Sequence, residues 1–460
     1  MKKYFLIPIV FFFFVPTAFA ATNVYYSVGQ NTSDHSSGGN VYITSGVATF
    51  DTPQTATNLG VGDALTAGGN TYYLVSKNST TSWNVVTHLG ATPSDLSSTA
   101  VTSITHAFSS LNNALGDGVT GNATSTNYMN TSNLTTGGFI LNIPCYWDTA
   151  SDTTSVTVTG YTTSASDFIN IYTPIGTTGG TFGSNSASTD SNQSQRHNGI
   201  AQTRGVYTLQ GNTNSTYALV LDAYSAVTGL QINANNSGSD NRGGIEFYVG
   251  SGTSGCWISK NIIYHFGTRP GIELNSSGTP TYRVWNNIIL NNVGSSATNG
   301  ITVTAGTAYL YNNTVRNITP TSSIGISRTG GTVVAKNNLV DSCVTNFSGT
   351  FGAGSDYNAS SDSTSTGGAH DRVSQTFTYI NAPNDLLLSS SDTGAKDYGE
   401  NLSSDSYIAF SDDIIGTSRP QGSAWDIGAD EYRFATYIMH LFGGFRIKLM
   451  SSRAILEQKH

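Results

Sequence analysis

Four asparagines recur at nearly equal spacing in the middle of the chain, and this repeat constrains the fold more than any other feature. Asn261, Asn287, Asn313 and Asn338 follow one another at intervals of 26, 26 and 25 residues, and each is followed two positions later by an aliphatic residue. An internal period of about 20 to 50 residues is typical of stacked-repeat architectures. The spacing therefore predicts successive coils that place equivalent residues one above another.

Each repeat opens with alternating apolar and polar residues, the pattern of a β-strand with one buried face. Residues 245–247 and 301–303 are two examples, and turns rich in glycine and asparagine separate such segments. In a stack of parallel strands, each strand bonds to the coils above and below it. We therefore expect an all-β solenoid with an aliphatic interior and a ladder of asparagine side-chain amides.

The repeats resemble those of the right-handed parallel β-helix proteins of the pectate-lyase-like superfamily. The resemblance covers four aligned segments between about residues 244 and 343, and the N-terminal stretch NVYYSVGQNTSD is similar to the first strand of many of these proteins. It implies a right-handed parallel β-helix. The C-terminal stretch DIIGTSRPQGSAWDIGADEY is similar to the closing motif called choice-of-anchor Q. That similarity implies a structural endpiece formed by Asp413, Gly416, Arg419, Asp426, Gly428 and Glu431, with a metal site at Asp426, Asp430 and Glu431 as the alternative.

The N-terminus predicts export. Lys2 and Lys3 precede a short apolar run, and residues 18–20 form a small-x-small cleavage site, so residues 1–20 read as a Sec-type signal peptide. We expect the mature protein to be secreted or held at the cell surface. No segment of the mature chain has an apolar run long enough to predict a transmembrane helix.

The remaining chain divides into four predicted parts. Residues 21–120 hold a first strand, a small inserted β-unit at about residues 40–100, and an N-terminal capping helix predicted from the spacing of Ile104, Phe108, Leu111 and Leu115. Residues 121–345 form the parallel β-helix, and residues 346–432 form its closing region. Residues 433–460 are an apolar and basic tail, predicted as disordered or, alternatively, as a membrane-surface segment.

The net charge bears on the class of partner, and the cysteine content bears on disulfide bonding. The formal net charge is −8 and no basic cluster is present, which argues against nucleic acid as a partner. A polysaccharide or a cell-surface glycan is the candidate partner, and the oligomeric state stays open. Cys145, Cys256 and Cys343 are too few for a disulfide framework; they predict either buried thiols or one bridge with a thiol left over.

Two related stretches, RGGIEF and RPGIEL, contain the best candidate for chemistry. They place Arg242, Glu246, Arg269 and Glu273 at equivalent positions of adjacent coils. Both glutamates should point outward about 4.8 Å apart, close to the ~5–5.5 Å carboxyl separation of retaining glycosidases. A catalytic acid–base pair is one interpretation; the other is a charged surface ladder in which each glutamate pairs with an arginine.

Six nearby residues are candidate substrate-binding groups because aromatic faces stack on sugars and titratable groups bond to hydroxyls. They are Tyr248, Lys260, Tyr264, His265, Tyr282 and Trp285. No metal ligand set and no cofactor is predicted; calcium stays open but has no binding motif in its support.

The sequence favours a non-catalytic glycan-binding, surface-binding or structural protein. The alternative is a polysaccharide lyase or glycoside hydrolase that acts on an extracellular polysaccharide. The resemblance supplies no catalytic residue, because the calcium-binding acidic cluster of pectate lyases and the aspartate trio of polygalacturonases have no counterpart here. Between residues 240 and 343 the only aspartates are Asp240 and Asp341.

Overall fold

The computed structural model describes residues 21–178, 190–214, 216–234, 241–249, 254–290 and 297–433, and strands within residues 437–458. These residues form an all-β structure with large parallel sheets and two short helices. The predicted signal peptide, residues 1–20, lies outside the described residues.

The N-terminal part combines one strand of a parallel sheet with a closed antiparallel barrel. Strand β1 (Thr22–Tyr25) precedes the barrel. The barrel strands are β2 (Asn40–Thr44), β3 (Val47–Phe50), β4 (Ala64–Ala67), β5 (Asn70–Ser79), β6 (Ser82–Val86) and β7 (Leu96–Thr105), in the order β2-β3-β6-β5-β4-β7. Residues 40–100, which predict a small inserted β-unit, thus lie in a barrel with its own core around Trp83, Leu65 and Ile43.

The helix predicted between Ile104 and Leu115 is shorter than the apolar spacing indicates, and its capping role stays a prediction. Helix α1 spans Leu111–Leu115, with the Ser110 side chain accepting from the Asn113 N–H at its start, and α2 spans Leu134–Gly137. Ile104 instead lies in β7 and packs in the barrel core. The run before it is rich in Val, Thr and Ser, which favours a strand over a helix. Leu111 and Leu115 do join the main core.

The following strands are short and run to residue 360. They are β8 (Phe139–Pro144), β9 (Val156–Val158), β10 (Ile169–Tyr172), β11 (Gly176–Thr178), β12 (Ser191–Gln193), β13 (Thr208–Gln210), β14 (Tyr217–Leu221), β15 (Ser225–Thr228), β16 (Gln231–Asn233), β17 (Gly243–Val249), β18 (Cys256–Ser259) and β19 (Ile262–Tyr264). The later ones are β20 (Ile272–Ser276), β21 (Thr281–Trp285), β22 (Ile288–Leu290), β23 (Asn299–Val303), β24 (Thr307–Tyr311), β25 (Thr314–Arg316), β26 (Ile324–Arg328), β27 (Thr332–Lys336), β28 (Leu339–Asp341), β29 (Thr345–Ser348) and β30 (Ala359–Ser360).

These strands build three large parallel sheets, which the chain visits in turn. Sheet 1 has the order β1-β8-β10-β15-β18-β21-β24-β27, sheet 2 the order β29-β26-β23-β20-β17-β14-β9, and sheet 3 the order β13-β16-β19-β22-β25-β28-β30. From β14 to β28 the order is sheet 2, sheet 1, sheet 3, repeated five times. This cyclic order is consistent with a β-solenoid of about 25 to 31 residues per coil, as the strand bounds show.

The interior consists of aliphatic files that run from coil to coil. In sheet 3, Ile263, Ile289, Val315 and Val340 are aligned by register, as the spacing of the asparagines predicts. All four are fully buried and belong to one hydrophobic cluster that continues down to Val24 in β1. Burial of each such side chain stabilises the fold by about 1.5–3 kcal/mol before the loss of chain entropy is counted.

The predicted asparagine ladder is present and is longer than the sequence indicates. The Nδ2 of Asn261 donates to Oδ1 of Asn287 at 3.0 Å, and the same bond links Asn287 to Asn313 and Asn313 to Asn338. Asn338 donates in turn to Asn358, so the ladder has a fifth member, only 20 residues further on. All five side chains are buried.

A second file of asparagines holds the chain that follows β30 against the coils. We call this part, residues 361–433, the C-terminal segment. Asn286, Asn312 and Asn337 each precede a ladder asparagine and have positive φ, which asparagine tolerates better than most residues. Their Nδ2 groups donate to the carbonyls of Asp412, of Asp426 and Gly428, and of Glu400, respectively. The segment also contributes the antiparallel pair β31 (Tyr379–Asn381) and β32 (Asp385–Leu388).

The closing motif forms a buried polar network around Arg419. Its Nη1 donates to Glu431 Oε2 at 2.8 Å and to the Asp426 carbonyl at 3.1 Å, and its Nη2 donates to the Gly428 carbonyl at 2.9 Å. Asp413 accepts from the N–H groups of Ile415, Thr417 and Glu431. Burial raises the pKa of Asp430, and the nearby Asp413 carboxylate adds to this effect. These acidic groups therefore have hydrogen-bond partners within the chain.

Beyond Arg433 the chain forms three antiparallel strands, β33 (Tyr437–His440), β34 (Phe445–Met450) and β35 (Arg453–Gln458). Residues 433–460, predicted as disordered or as a membrane-surface segment, therefore contain a small sheet. The membrane-surface interpretation of this tail stays a prediction.

The three cysteines are free. Cys145 and Cys256 are buried and Cys343 is partly buried. Burial raises the pKa of the Cys343 thiol to about 12, so this thiol is protonated and poorly nucleophilic at neutral pH. Of the two predictions for the cysteines, the structure matches the one with thiols and no bridge.

Candidate functional site

Glu246 and Glu273 are neighbours on sheet 2, as their 27-residue offset predicts. The register of β17 and β20 pairs Ile245 with Ile272 and Glu246 with Glu273. The two isoleucines are fully buried, whereas both glutamates are partly exposed on the outer face. The prediction of two carboxylates on one face, one strand apart, is confirmed.

The same outer file does not continue as an exposed polar stripe. Thr302 and Ser327 follow Glu273 in the register of sheet 2. They are only 6% and 2% exposed, and Thr302 accepts from the side chain of Asn299. The exposed acidic site is therefore limited to the two glutamates and their immediate neighbours.

Tyr217 and Arg269 engage one of the two carboxylates. The Tyr217 hydroxyl donates to Glu273 Oε2, and the Arg269 guanidinium lies 5.1 Å from the centre of the Tyr217 ring. The ring passes directly over Gly243, where any Cβ would collide with it at 2.2 Å. Burial raises the pKa of Tyr217, and the bond to Glu273 raises it further. This site is therefore a network of a tyrosine, an arginine and two carboxylates, a combination that the sequence does not predict.

The two predicted arginines have different contacts. Arg242 donates from Nη1 to the Gly211 carbonyl at 3.3 Å, whereas Arg269 covers Tyr217. Burial raises the pKa of Glu246, the nearby Glu273 carboxylate adds to this effect, and Arg269 opposes it. The two arginines are thus not equivalent in their surroundings, although they occupy equivalent positions in the repeat.

Because Glu246 has a raised pKa, its replacement changes the dependence of stability on pH. The folded state retains the Glu246 proton to higher pH than the unfolded chain does, so the folded wild type loses stability as the pH rises above the unfolded value of about 4.3. We expect Glu246→Gln to raise the free energy of unfolding at pH 7.5 by up to ~1 kcal/mol, because solvent screens these half-exposed charges. At pH 4 the gain should vanish. Urea unfolding at both pH values measures it.

Glu273→Gln is the matched control, since it removes the same repulsion but weakens the acceptor of the Tyr217 hydroxyl. It should stabilise less than Glu246→Gln at pH 7.5, or destabilise. Equal effects of the two variants at both pH values would contradict this account of the pair.

The predicted substrate-binding residues do not form one site. Tyr248 is 49% exposed and lies on the outer face of sheet 2, two residues beyond Glu246. Lys260 and Trp285 lie at the ends of neighbouring sheet 1 segments, next to each other in a different hollow. His265 has a positive φ and lies in the turn after β19, where burial lowers its pKa.

Two of the predicted sugar-stacking residues are buried, so this prediction was wrong for them. Tyr282 is fully buried and faces the interior, where its register neighbours are the small residues Cys256 and Ala308. These leave room for its ring, which lies 5.4 Å from that of Phe247. Tyr264 is 4% exposed because the C-terminal segment covers it with Leu386 and Ile414.

A groove lined by aromatic residues lies on the outer face of sheet 1. It consists of two adjoining hollows of about 510 and 500 Å³ that share Trp257 and Trp285. We call it the sheet 1 groove; its aromatic lining is Phe168, Tyr224, Trp257, Trp285, Tyr407 and Phe410. The rings of Phe168 and Tyr224 lie 5.3 and 6.0 Å from that of Trp257, so the three form one continuous aromatic surface.

Charged groups lie beside these rings. Arg283 is the register neighbour of Trp257, and its Nε donates to the Tyr407 carbonyl at 2.9 Å. Lys260 forms an ion pair with Asp412. Burial lowers the pKa of Lys260, and the Asp412 carboxylate opposes that shift. Hydrogen-bond donors and acceptors therefore flank partly exposed aromatic faces.

Trp285 and Lys260 are predicted from the sequence, whereas Trp257 and Arg283 are not. A signal for both is present in the sequence, because Cys256-Trp257 and Tyr282-Arg283 occupy equivalent inward and outward positions of adjacent coils. Tyr407 and Phe410 could not be found in this way, since they reach the groove from about 120 residues further along the chain.

Within the described ranges, one group of imidazole and carboxylate atoms is compact enough to hold a metal ion. It comprises His35, Asp63 and His106, whose ligand atoms all lie within 4.8 Å of one another. It lies at the barrel, outside both the sheet 2 carboxylate pair and the sheet 1 groove. The alternative metal site at Asp426, Asp430 and Glu431 is not among such groups.

Comparisons with known proteins found no relative: no family model, no curated protein and no solved structure matches the chain. The resemblance to pectate-lyase-like β-helix proteins therefore stays a prediction from the motifs. In the described part of the chain, no helix has the length and apolar character needed to span a membrane.

Proposed function

We propose that this chain is a secreted or cell-surface β-helix protein that binds an extracellular polysaccharide in the sheet 1 groove without cleaving it. The observation that carries the proposal is the continuous surface of Phe168, Tyr224 and Trp257, which joins Trp285 beside Arg283 and the Lys260–Asp412 pair. Sugar rings present apolar C–H faces and a rim of hydroxyls, so they match aromatic faces that are flanked by hydrogen-bonding groups.

The proposal includes the finer description of the fold. Successive parallel strands joined by a crossover are right-handed in about 98% of cases, which favours a right-handed β-helix for the cyclic order of the three sheets. Export follows from the signal-like residues 1–20, and mass spectrometry of protein recovered outside the cytoplasm tests it. A mature N-terminus at Ala21 is the expected result; an intact Met1 would contradict export.

The groove predicts that its two tryptophans contribute most of the binding energy. We expect Trp257→Ala and Trp285→Ala each to weaken binding of the polysaccharide ligand by about 30-fold. Loss of a stacking aromatic side chain at the centre of a site costs ~2 kcal/mol. Affinity electrophoresis against neutral and uronate-rich polysaccharides identifies the ligand, and calorimetry with its oligosaccharides measures the change.

Two exposed tyrosines provide matched controls. Tyr42→Ala removes an aromatic ring from the outer surface of the barrel, and Tyr248→Ala removes one beside the sheet 2 carboxylates; the two rings are 46% and 49% exposed. Both variants should bind as the wild type does. If Tyr248→Ala alone weakens binding, the site lies on sheet 2. If the wild type retains none of the polysaccharides, the glycan-binding proposal fails.

The sheet 2 carboxylates support the second candidate, a polysaccharide lyase or glycoside hydrolase. The specific observation is the register pairing of Glu246 with Glu273, together with the raised pKa of Glu246. Acid–base cleavage of a glycosidic bond uses two neighbouring carboxyls, one of which has a raised pKa. Incubation with the same polysaccharides, with and without calcium, tests this candidate. If the wild type releases a cleavage product and Glu246→Gln does not, the protein is an enzyme rather than a non-catalytic binding protein.

A further inference from the structure

Three side chains from distant points of the sequence meet where the barrel joins the coils. His35 lies before the first barrel strand, Asp63 in the middle of the barrel sequence, and His106 directly after the last barrel strand. His35 Nε2 is 3.2 Å from Asp63 Oδ2, and His106 Nδ1 is 2.7 Å from Asp63 Oδ1. Each oxygen of the Asp63 carboxylate thus faces one imidazole nitrogen.

Backbone hydrogen bonds hold His35 and Asp63 in place. The His35 N–H donates to the Ile104 carbonyl at 3.0 Å, which fixes the His35 backbone two residues from His106. Asp63 Oδ2 accepts from the Gly60 N–H at 2.8 Å, and the Asp63 carbonyl accepts from the Leu74 N–H at 3.0 Å. His35 and Asp63 are therefore preorganised by the local fold.

The second nitrogen of His106 faces another carboxylate. His106 Nε2 is 3.3 Å from Asp148 Oδ1, and Asp148 also accepts from the Asn31 N–H and the Asn58 amide. An imidazole that binds a metal with one nitrogen commonly donates the N–H of the other to a carboxylate, which fixes the tautomer and the ring orientation. Asp148 is in that position, and it follows β8 of the coil stack.

Burial and charge favour a cation at this place. The side chains of Asp63 and His106 are 0% exposed, that of Asp148 is 1% exposed and that of His35 is 8% exposed. Two buried carboxylates carry two negative charges, which one divalent cation neutralises while both imidazoles stay neutral and able to coordinate it.

We propose that His35 Nε2, His106 Nδ1 and the Asp63 carboxylate bind one divalent transition-metal ion of the zinc class, with Asp148 as the partner that orients His106. Imidazole nitrogen and carboxylate oxygen are ligands that zinc prefers, at about 2.0–2.2 Å. The ion ties the two ends of the inserted barrel to its middle and, through Asp148, to the coil stack. Its role is structural, since the side chains of Asp63 and His106 are 0% exposed.

Metal binding is tested on the full mature chain without a polyhistidine tag. After dialysis against a chelator, titration with Zn²⁺ should reach one equivalent and raise the melting temperature by several degrees. Titration with Co²⁺ should give intense visible bands at the same stoichiometry, which signal nitrogen and oxygen coordination of low symmetry.

Variants then assign the ligands. His35→Ala removes the least buried ligand and should lower zinc affinity at least 100-fold, and Asp148→Asn should lower it about 10- to 100-fold without changing the stoichiometry. His370→Ala, at an exposed histidine that contacts Asp356, is the control and should bind zinc as the wild type does. Because His35→Ala and Asp148→Asn change different positions, misfolding of one leaves the other as a test.

If the histidines and carboxylates are held together by hydrogen bonds and a protonated imidazole, without a metal ion, the titrations give a different result. If His106 is a doubly protonated ring between Asp63 and Asp148, the wild type binds no stoichiometric zinc, its melting temperature is unchanged by the metal, and Co²⁺ produces no bands. Equal zinc affinity in wild type and His35→Ala would also overturn the proposal.

Discussion

Replacing Arg419 with alanine is expected to lower the free energy of unfolding by about 3–5 kcal/mol, because a buried ion pair then loses one partner. The Arg419 side chain is 0% exposed, and its guanidinium bonds to Glu431 and to the carbonyls of Asp426 and Gly428. Without it, the Glu431 carboxylate, which is 1% exposed, has no cation beside it. Urea unfolding followed by tryptophan fluorescence measures the loss, since Trp425 lies 5.6 Å from the guanidinium.

Arg328→Ala is the control for this prediction. Arg328 is partly exposed and donates only across a turn to the Gly331 carbonyl, so its loss should change stability by less than about 0.5 kcal/mol. Arg419→Lys keeps the charge but lacks the planar fork that reaches a carboxylate and two carbonyls together, so it should recover little. Equal unfolding midpoints for Arg419→Ala and Arg328→Ala would show that the closing motif does not stabilise the fold.

Arg419 also shows which features of the closing motif can be predicted from the sequence. The resemblance of the closing motif predicts a place for Arg419 in a structural endpiece, and that role stays a prediction; the structure shows bonds from its guanidinium to Glu431, Asp426 and Gly428. The partners of the endpiece could not be predicted. Asn286 and Asn312 bond to carbonyls more than 110 residues away, and no local pattern encodes such contacts.

Periodicity predicts position along the coils well because one register shift would turn every side chain to the wrong face. Glu246 and Glu273 are neighbours for that reason, and so are Ile263 and Ile289. Periodicity does not decide how much room the interior offers. Tyr282 was assigned to a sugar site because of its chemistry, whereas the small neighbours Cys256 and Ala308 admit its ring to the core.

The candidate sites depend on contacts between distant parts of the chain, which is why they were only partly predictable. Trp285 and Lys260 were named from the repeats, but the sheet 1 groove is completed by Tyr407 and Phe410 of the C-terminal segment. The cluster of His35, Asp63 and His106 exists only because the barrel brings its two ends together. Local sequence patterns predict neither the completed groove nor this cluster.

The asparagine ladder predicts the other large effect, at its middle member. Asn313→Ala is expected to lower the free energy of unfolding by about 3–5 kcal/mol, since each orphaned buried donor or acceptor costs ~1–3 kcal/mol. The Asn313 Oδ1 accepts from the backbone and the side chain of Asn287, and its Nδ2 donates to the Val284 carbonyl and to Asn338. Thermal and urea unfolding of the protein measure the loss.

Asn275→Ala is the matched control from the outer face of the same coils, where the partly exposed amide accepts from the Thr304 hydroxyl. It should cost less than about 1 kcal/mol, because water replaces the lost bond. Asn313→Asp separates the two halves of the amide: it keeps an acceptor for Asn287 but loses the donor to Asn338 and places a charge in the interior. It should therefore be at least as destabilising as alanine at pH 7 and recover part of the loss in acid, where the carboxyl is protonated. If Asn313→Ala unfolds at the same urea concentration as Asn275→Ala, the asparagine ladder does not contribute to the stability of the stacked coils.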